Sequence, residues 1–149
     1  MGSDHRLADR APLAVMLMAV ERAAEGCVHP ISEEKRRPVV VCICGSGVFW
    51  DEIQRQRRKL SLQGKIVLGP EVNAKDKDNP VGKEDKNRLD ALHFHKIDLA
   101  DEVLVVDIDK AKPEVEPHTG DSTKREMAYA RQCGLPVYLL SDSIRSADS

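Results

Sequence analysis

Four short apolar runs interrupt an otherwise polar chain, and each has the length of a buried β-strand. The clearest run covers residues 39–44, where β-branched residues and cysteines follow one another without a break before Gly45-Ser46-Gly47. An unbroken apolar run indicates burial of both strand faces, which is typical of a parallel sheet covered by helices. The other runs lie at 65–68, 102–108 and 136–140. They predict three further strands.

Segments with helical spacing separate these runs. Apolar residues recur three or four positions apart over residues 48–62 and over residues 87–100. The second spacing runs through Leu89, Leu92, Lys96 and Leu99, with His93, Ile97 and Ala100 alongside. A third segment begins at Gly120 and stops at Gly134. Alternating strands and helices predict an α/β fold: a doubly wound parallel sheet of four to five strands with helices on both faces.

The N-terminal quarter of the chain stands apart from this alternation. Residues 1–11 are polar, residues 12–26 have the apolar spacing of an amphipathic helix, and a charged linker follows. The remaining chain ends in a polar tail after residue 140. We therefore divide the chain into an N-terminal tail, helix and linker over residues 1–37 and an α/β domain over residues 38–149.

Composition narrows the class of protein. The 149 residues suffice for one sizeable core, and 41% hydrophobic with 32% charged residues is an ordinary globular balance. The net charge of −2 gives no electrostatic reason to expect a nucleic-acid polymer as partner. No apolar run reaches the length of a membrane span, so no membrane partner is expected.

The cysteines indicate a reducing compartment. Their spacing lacks the C-x-x-C pairs that are typical of zinc sites, so buried free thiols are the expected state. We therefore expect a cytoplasmic protein with no metal and no cofactor. The cysteines are Cys27, Cys42, Cys44 and Cys133.

Glycine-rich and polar segments follow the predicted strands, at the sheet edge where doubly wound folds bind ligands. Gly45-Ser46-Gly47 allows close approach of the backbone to an anion and presents N–H groups at a helix start, although a simple tight turn explains it equally well. Residues 70–86 form a long polar connection, which indicates a flexible lid or a binding loop.

The last predicted helix opens with Gly120-Asp121-Ser122-Thr123, where free backbone N–H groups point toward a ligand. Asp121 also fits an N-cap. Glu126 lies about one turn further in, so its carboxylate faces the same pocket unless it is a solvated helix residue.

Two residues of the preceding helix are further candidates. His93 falls on an inward position, either as a core histidine with its hydrogen bonds satisfied or as a site residue. Asp98 lies near the helix C-terminus, where the helix dipole disfavours a carboxylate, and this cost indicates a specific role.

Three segments in combination resemble the nucleoside 2-deoxyribosyltransferase-like superfamily, which includes nucleotide N-glycosidases. The segments are residues 41–46, residues 96–101 and the G-x-S-T pattern with its helix and strand at 120–137. The resemblance spans residues 38–141 and is to bacterial and phage members. It implies a flavodoxin-like fold and cleavage of the N-glycosidic bond of a small nucleoside or nucleoside 5′-monophosphate.

The resemblance also implies residue roles. Glu126 matches the family's glutamate and would be the nucleophile at the anomeric carbon, a role that suits an oxocarbenium-like centre. His93 stands where many family enzymes carry an aspartate and could protonate the leaving base, with Asp98 as the other assisting residue. Gly45, Ser46 and Gly47 would hold a 5′-phosphate.

Other consequences of the resemblance concern the acceptor and the assembly. Water as acceptor gives hydrolysis, and a second base gives deoxyribosyl transfer. The segment 120–123 would support the sugar. Family members often complete their sites across a dimer interface, so we expect a homo-oligomer, a dimer or larger.

Two alternatives remain open at this stage. The histidine at position 93 fits a catalytically silent nucleotide-binding or sensing module of the same fold. A flavin-binding electron carrier is the other option, although 3% aromatic residues and Trp50 as the single tryptophan offer little surface for a flavin ring.

Overall fold

A computed structural model describes residues 37–148 of the chain. The N-terminal helix and linker that the sequence predicts lie outside the described residues. From Val39 onward the chain forms one compact unit.

Strands and helices alternate along the described residues. The strands are β1 (Val40–Gly45), β2 (Ile66–Leu68), β3 (Glu102–Val106) and β4 (Val137–Leu139). The helices are α1 (Trp50–Leu62), α2 (Lys83–Leu99), α3 (Asp121–Gln132) and α4 (Leu140–Asp148), with a 3₁₀ turn, η1 (Gly47–Phe49), before α1. No helix between residues 37 and 148 is long and apolar enough to cross a membrane.

The strands form one four-stranded sheet in the order β2-β1-β3-β4, and every pair is parallel. The chain moves outward from β1 to β2 and then returns past β1 to β3, so the strand order reverses between β1 and β3. This is the flavodoxin-like form of the doubly wound fold, and it confirms the predicted α/β class.

The side chains of β1 alternate between two hydrophobic cores. Cys42 and Cys44 pack on one face with Ile97 of α2 and Ala130 of α3. Residues on the other face, including Ile43, pack with α1 and α4. Because both faces are covered, the strand is apolar at every position, as the sequence predicted.

Helix α2 differs from the prediction in its start, and its buried face carries His93 at the predicted inward position. It begins at Lys83 rather than at residue 87, because its first turn carries acidic residues that suit a helix N-terminus but show no apolar spacing. The buried residues of α2 are His93 and Ile97, whereas Leu92 and Leu99 are exposed. Spacing alone could not distinguish these adjacent faces, because both repeat every three to four residues.

The C-terminal segment is the helix α4 rather than an unstructured polar tail. Leu140 is buried at its start. The backbone N–H and hydroxyl of Ser141 both donate to the buried carboxylate of Asp107, at 3.0 and 2.6 Å. These contacts are tertiary, so the polar composition of the segment gave no sign of them.

A buried carboxylate holds the connection between β3 and α3 against α1. Glu52 is 1% exposed, and its Oε1 accepts a 2.6 Å hydrogen bond from the backbone N–H of Lys110. Gln56 and Arg55 donate to its other oxygen. Burial opposes ionisation of Glu52, but these hydrogen bonds together lower its pKa below the ordinary value. The connection is thereby held against α1 near its beginning, at Lys110.

Candidate functional site

A cleft of about 250 Å³ lies beyond the carboxyl ends of β1, β2 and β3. It is the part of the sheet edge at which the strand order reverses, where ligands bind in this class of fold. The predicted candidates that line it are Gly45, Ser46, Gly47, His93, Gly120, Asp121, Ser122, Thr123 and Glu126. Segments far apart in sequence therefore meet around one cavity.

One wall of the cleft is the turn after β1. The hydroxyl of Ser46 accepts a 3.3 Å hydrogen bond from the backbone N–H of Val48 and caps η1. Gly47 has no room for a side chain, because a Cβ there would lie 2.4 Å from Oδ1 of Asn73 and 2.7 Å from Cγ of Lys75. The turn and the connection after β2 consequently touch at the mouth of the cleft.

The opposite wall is the start of α3. Gly120 is the N-cap and makes no side-chain capping bond, so Asp121 occupies the first helical turn instead of the cap position. Thr123 is buried, whereas the Ser122 hydroxyl accepts a 3.2 Å hydrogen bond from Arg125. The residues of this helix start line the cleft, and no side chain caps the free N–H groups of its first turn.

Behind the cleft, four side chains form what we call the Cys-His-Glu cluster: Cys42, Cys44, His93 and Glu126. The Nε2 atom of His93 lies 3.7 Å from Sγ of Cys42 and 3.2 Å from Sγ of Cys44. The same nitrogen lies 3.3 Å from Oε2 of Glu126. Both thiols are fully buried on β1, whereas the histidine and the glutamate reach the cleft.

The cluster perturbs the ionisation of each member. A hydrogen bond from Cys44, with a further contribution from His93, lowers the pKa of Cys42 to about 6 against the effect of burial. Cys44, as the donor in a buried site, has a pKa well above its ordinary value. Burial raises the pKa of Glu126. Burial alone would lower the pKa of His93, but Cys42 and Glu126 together raise it.

Lysines line the cleft at three positions that we did not predict. Lys96 donates a 2.6 Å hydrogen bond to the carbonyl of Gly69, and Lys86 pairs with Asp90 at 2.9 Å. Lys75 belongs to the connection after β2. Lys96 follows His93 by three residues, a spacing that places both side chains on the same face of a helix. This spacing could have identified Lys96 from the sequence.

Asp98 is not among the residues that line the cleft. Its Oδ1 accepts a 2.5 Å hydrogen bond from the hydroxyl of Tyr129 and so connects α2 with α3. The specific role expected for a carboxylate near this helix end is, in the structure, a contact between helices.

The pairing of thiols with a histidine is the feature that sequence reasoning missed. The i, i+2 spacing correctly placed Cys42 and Cys44 on one strand face, and the three described cysteines, these two and Cys133, are free thiols. Their contact with His93 depends on how α2 lies over β1. Local spacing carries no information about that packing.

Searches against protein-family models, curated proteins and solved structures found no match to the chain. The geometry of the cleft and the resemblance of the motifs are therefore the features that bear on function.

Proposed function

We propose that the protein cleaves the N-glycosidic bond of a small nucleoside or nucleoside 5′-monophosphate, with Glu126 as the nucleophile. The observation that carries this proposal is the carboxylate of Glu126. Its side chain is 13% exposed, lines the cleft and lies 3.3 Å from Nε2 of His93. A positioned carboxylate beside a proton donor suits the oxocarbenium-like transition state of glycoside cleavage.

In the first step, the ionised carboxylate of Glu126 attacks the anomeric carbon and the bond from that carbon to the base nitrogen breaks. The protonated imidazole of His93 gives its Nε2 proton to the departing base. The raised pKa of Glu126 makes its ionised form a stronger nucleophile, and the raised pKa of His93 extends the pH range in which it holds a proton. The product is a glycosyl ester of Glu126 and a free base.

In the second step, water attacks the anomeric carbon and neutral His93 accepts the proton from that water. The ester bond breaks, the sugar leaves, and both side chains return to their starting states. A second base in place of water gives deoxyribosyl transfer by the same route.

The walls of the cleft support a role in substrate binding. A 5′-phosphate would lie against Gly45-Ser46-Gly47, close to the cationic side chain of Lys75. The uncapped start of α3, with Thr123 buried beside it, would support the sugar. Backbone N–H groups and lysine are common donors to phosphate groups.

The proposal is tested by incubating the protein with a panel of nucleosides and nucleoside monophosphates and measuring free base by chromatography. We expect Glu126→Gln to lower the rate of base release by about 1,000-fold or more, because loss of a nucleophile removes the covalent route. Equal release by wild type and Glu126→Gln would contradict the assignment.

Glu71→Gln is the matched control. Glu71 also lines the cleft, but its side chain is 63% exposed and paired with Arg57, so the same chemical change should alter the rate only a few-fold. Tight nucleotide binding by calorimetry without base release over hours would instead support a binding module without turnover.

A further inference from the structure

The donor atoms of the Cys-His-Glu cluster are those of a transition-metal site. The two Sγ atoms of Cys42 and Cys44 and a ring nitrogen of His93 all lie within 4.8 Å of one another, and all three residues are buried. Glu126 adds a carboxylate oxygen 3.3 Å from the same histidine nitrogen. Glu126 lies outside this close group of three, so the two sulfurs and the nitrogen are already assembled and the carboxylate would complete a four-coordinate set by moving toward the thiols.

The spacing of these atoms suits a tetrahedral ion. Bonds of about 2.3 Å to sulfur and about 2.0 Å to nitrogen or oxygen place a sulfur and a nitrogen about 3.5 Å apart, and a nitrogen and an oxygen about 3.3 Å apart. The sulfur–nitrogen distances here are 3.7 and 3.2 Å, and the nitrogen–oxygen distance is 3.3 Å. The histidine nitrogen and the two sulfurs therefore need little movement to bind one cation, whereas Glu126 must move its carboxylate toward the sulfurs.

We propose that Cys42, Cys44, His93 and Glu126 bind one Zn²⁺ ion or a closely similar thiophilic divalent cation. Two thiolates favour Zn²⁺ over hard cations such as Mg²⁺ and Ca²⁺, which prefer oxygen ligands. Binding displaces the protons of the two thiols to solvent and leaves neutral imidazole and ionised carboxylate as the other ligands.

The scaffold holds the four ligands on three packed elements. Cys42 and Cys44 lie on one face of β1, which is paired on both sides by β2 and β3, whereas His93 comes from α2 and Glu126 from α3. Two thiolates and a carboxylate carry one more negative charge than Zn²⁺ neutralises. Lys96 interacts electrostatically with Cys42 and His93 and supplies a compensating positive charge.

The cleft provides the path to the site. His93 and Glu126 line the cleft in front of the two thiols, so an ion arriving from solvent meets these ligands first. A bound ion would engage the carboxylate of Glu126. A coordinated carboxylate could not attack the anomeric carbon. If the proposed function holds, Zn²⁺ would therefore inhibit base release; this inference rests on that function.

The site is tested with Co²⁺ as a spectroscopic probe, added to the metal-free, reduced full-length protein without oxygen. We expect one Co²⁺ per chain, with the strong visible absorption of tetrahedral cobalt and the near-ultraviolet charge-transfer band of cobalt–thiolate bonds. Addition of Zn²⁺ should bleach both bands.

Variants show which residues produce the cobalt absorption bands. The double variant Cys27→Ser/Cys133→Ser keeps the two cluster thiols as the chain's only cysteines and should keep the full spectrum. Cys44→Ser in that background should lose about half of the charge-transfer intensity and bind Co²⁺ at least about tenfold more weakly. Glu126→Gln changes the ligand that lines the cleft and leaves the two thiols on β1 intact. It should weaken Co²⁺ binding and keep the charge-transfer band.

The proposal is overturned if the Cys27→Ser/Cys133→Ser variant gives no cobalt–thiolate band at equimolar Co²⁺. It is also overturned if a Glu126→Gln protein with wild-type circular dichroism binds Co²⁺ as tightly as wild type, because the carboxylate would then not be a ligand. Absence of base release would contradict the proposed enzyme activity and leave this result unaffected.

Discussion

At the scale of single residues, one ring nitrogen connects the buried core with the cleft. Nε2 of His93 approaches the thiols of Cys42 and Cys44 on β1 and the carboxylate of Glu126 on α3. Groups that share one partner titrate together, so a change at either thiol alters the ionisation of Glu126 through the histidine. The core and the proposed chemistry are therefore coupled at this atom.

A single hydroxyl should contribute measurably to stability. Tyr129→Phe removes the 2.5 Å hydrogen bond to Asp98, but it keeps the ring and its edge contact with Phe94. A hydrogen bond to a charged group contributes about 1.5–3 kcal/mol, so the free energy of unfolding in urea should fall by this amount. Base release should change little, because neither Asp98 nor Tyr129 lines the cleft.

Tyr138→Phe is the control for that prediction. Tyr138 is 54% exposed on the edge strand β4, and loss of its hydroxyl should leave the free energy of unfolding almost unchanged. Equal destabilisation by the two changes would show that the contact between Tyr129 and Asp98 adds nothing specific.

Residue patterns predicted part of this site and not the rest. The positions of Glu126 and of Gly45-Ser46-Gly47 followed from local spacing, since each lies at a fixed offset from the start of a helix. The contact of Cys44 with His93 joins residues 49 apart, and the bond from Tyr129 to Asp98 joins residues 31 apart. Such contacts depend on how elements pack and leave no local signal.

At the scale of elements, the connection between β2 and α2 forms the rim of the cleft. Arg57 donates to the carbonyl of Pro70 at 3.0 Å and pairs with Glu71 at 2.9 Å. Lys96 holds the carbonyl of Gly69 from the other side. The segment that we predicted as a lid or binding loop is therefore anchored at its beginning, and its later residues meet Gly47.

Gly47→Ala should displace this rim. The new Cβ would overlap Asn73 Oδ1, which cannot easily turn away because it accepts a 2.9 Å hydrogen bond from the backbone N–H of Lys75. Overpacking costs about 1–3 kcal/mol of stability unless the rim moves away. Under the proposed function, a displaced rim should lower nucleotide affinity about fivefold to a hundredfold, as measured by calorimetry.

Gly82→Ala serves as the comparison for Gly47→Ala. A Cβ at Gly82 would meet no atom within 4 Å, and its φ of −68° suits any residue. Nucleotide affinity should therefore be close to that of wild type. A similar loss of affinity in both variants would mean that Gly47 has no particular steric role.

At the scale of the whole molecule, acid stability should depend on Glu52. Its pKa is lower in the folded protein than its ordinary value of 4.5, so its ionised form stabilises the fold at neutral pH. This stabilisation is present above the ordinary pKa and is lost as the pH falls through the lower, folded-state pKa. Glu52→Gln should reduce the free energy of unfolding by about 1–3 kcal/mol at pH 7.

The difference between wild type and Glu52→Gln should shrink as the pH falls below about 4.5, as measured by urea unfolding at a series of pH values. Glu84→Gln is the control, because the side chain of Glu84 is 90% exposed at the start of α2. A constant difference across this range would show that ionisation of Glu52 makes no contribution.

The fold was more predictable than the site because its signals are local and repeated. The unbroken apolar run of β1 predicted a sheet that is buried on both faces, and the glycines that follow it predicted the turn. The sequence did not predict the helix α4, because the hydrogen bond that holds its start joins Ser141 to Asp107, which are 34 residues apart. Which of the adjacent faces of α2 is buried likewise depends on where the sheet lies.

The strand order has a consequence for the order of folding. β1 pairs with β2 after one short crossover, but its pairing with β3 joins Val41 to Glu102 and must close a much longer loop. Loop closure of this kind slows folding and favours early assembly of the first β-α-β unit. Because His93 and Glu126 lie beyond this first unit in the chain, we expect the thiols of β1 to meet these partners after β1 has paired with β2.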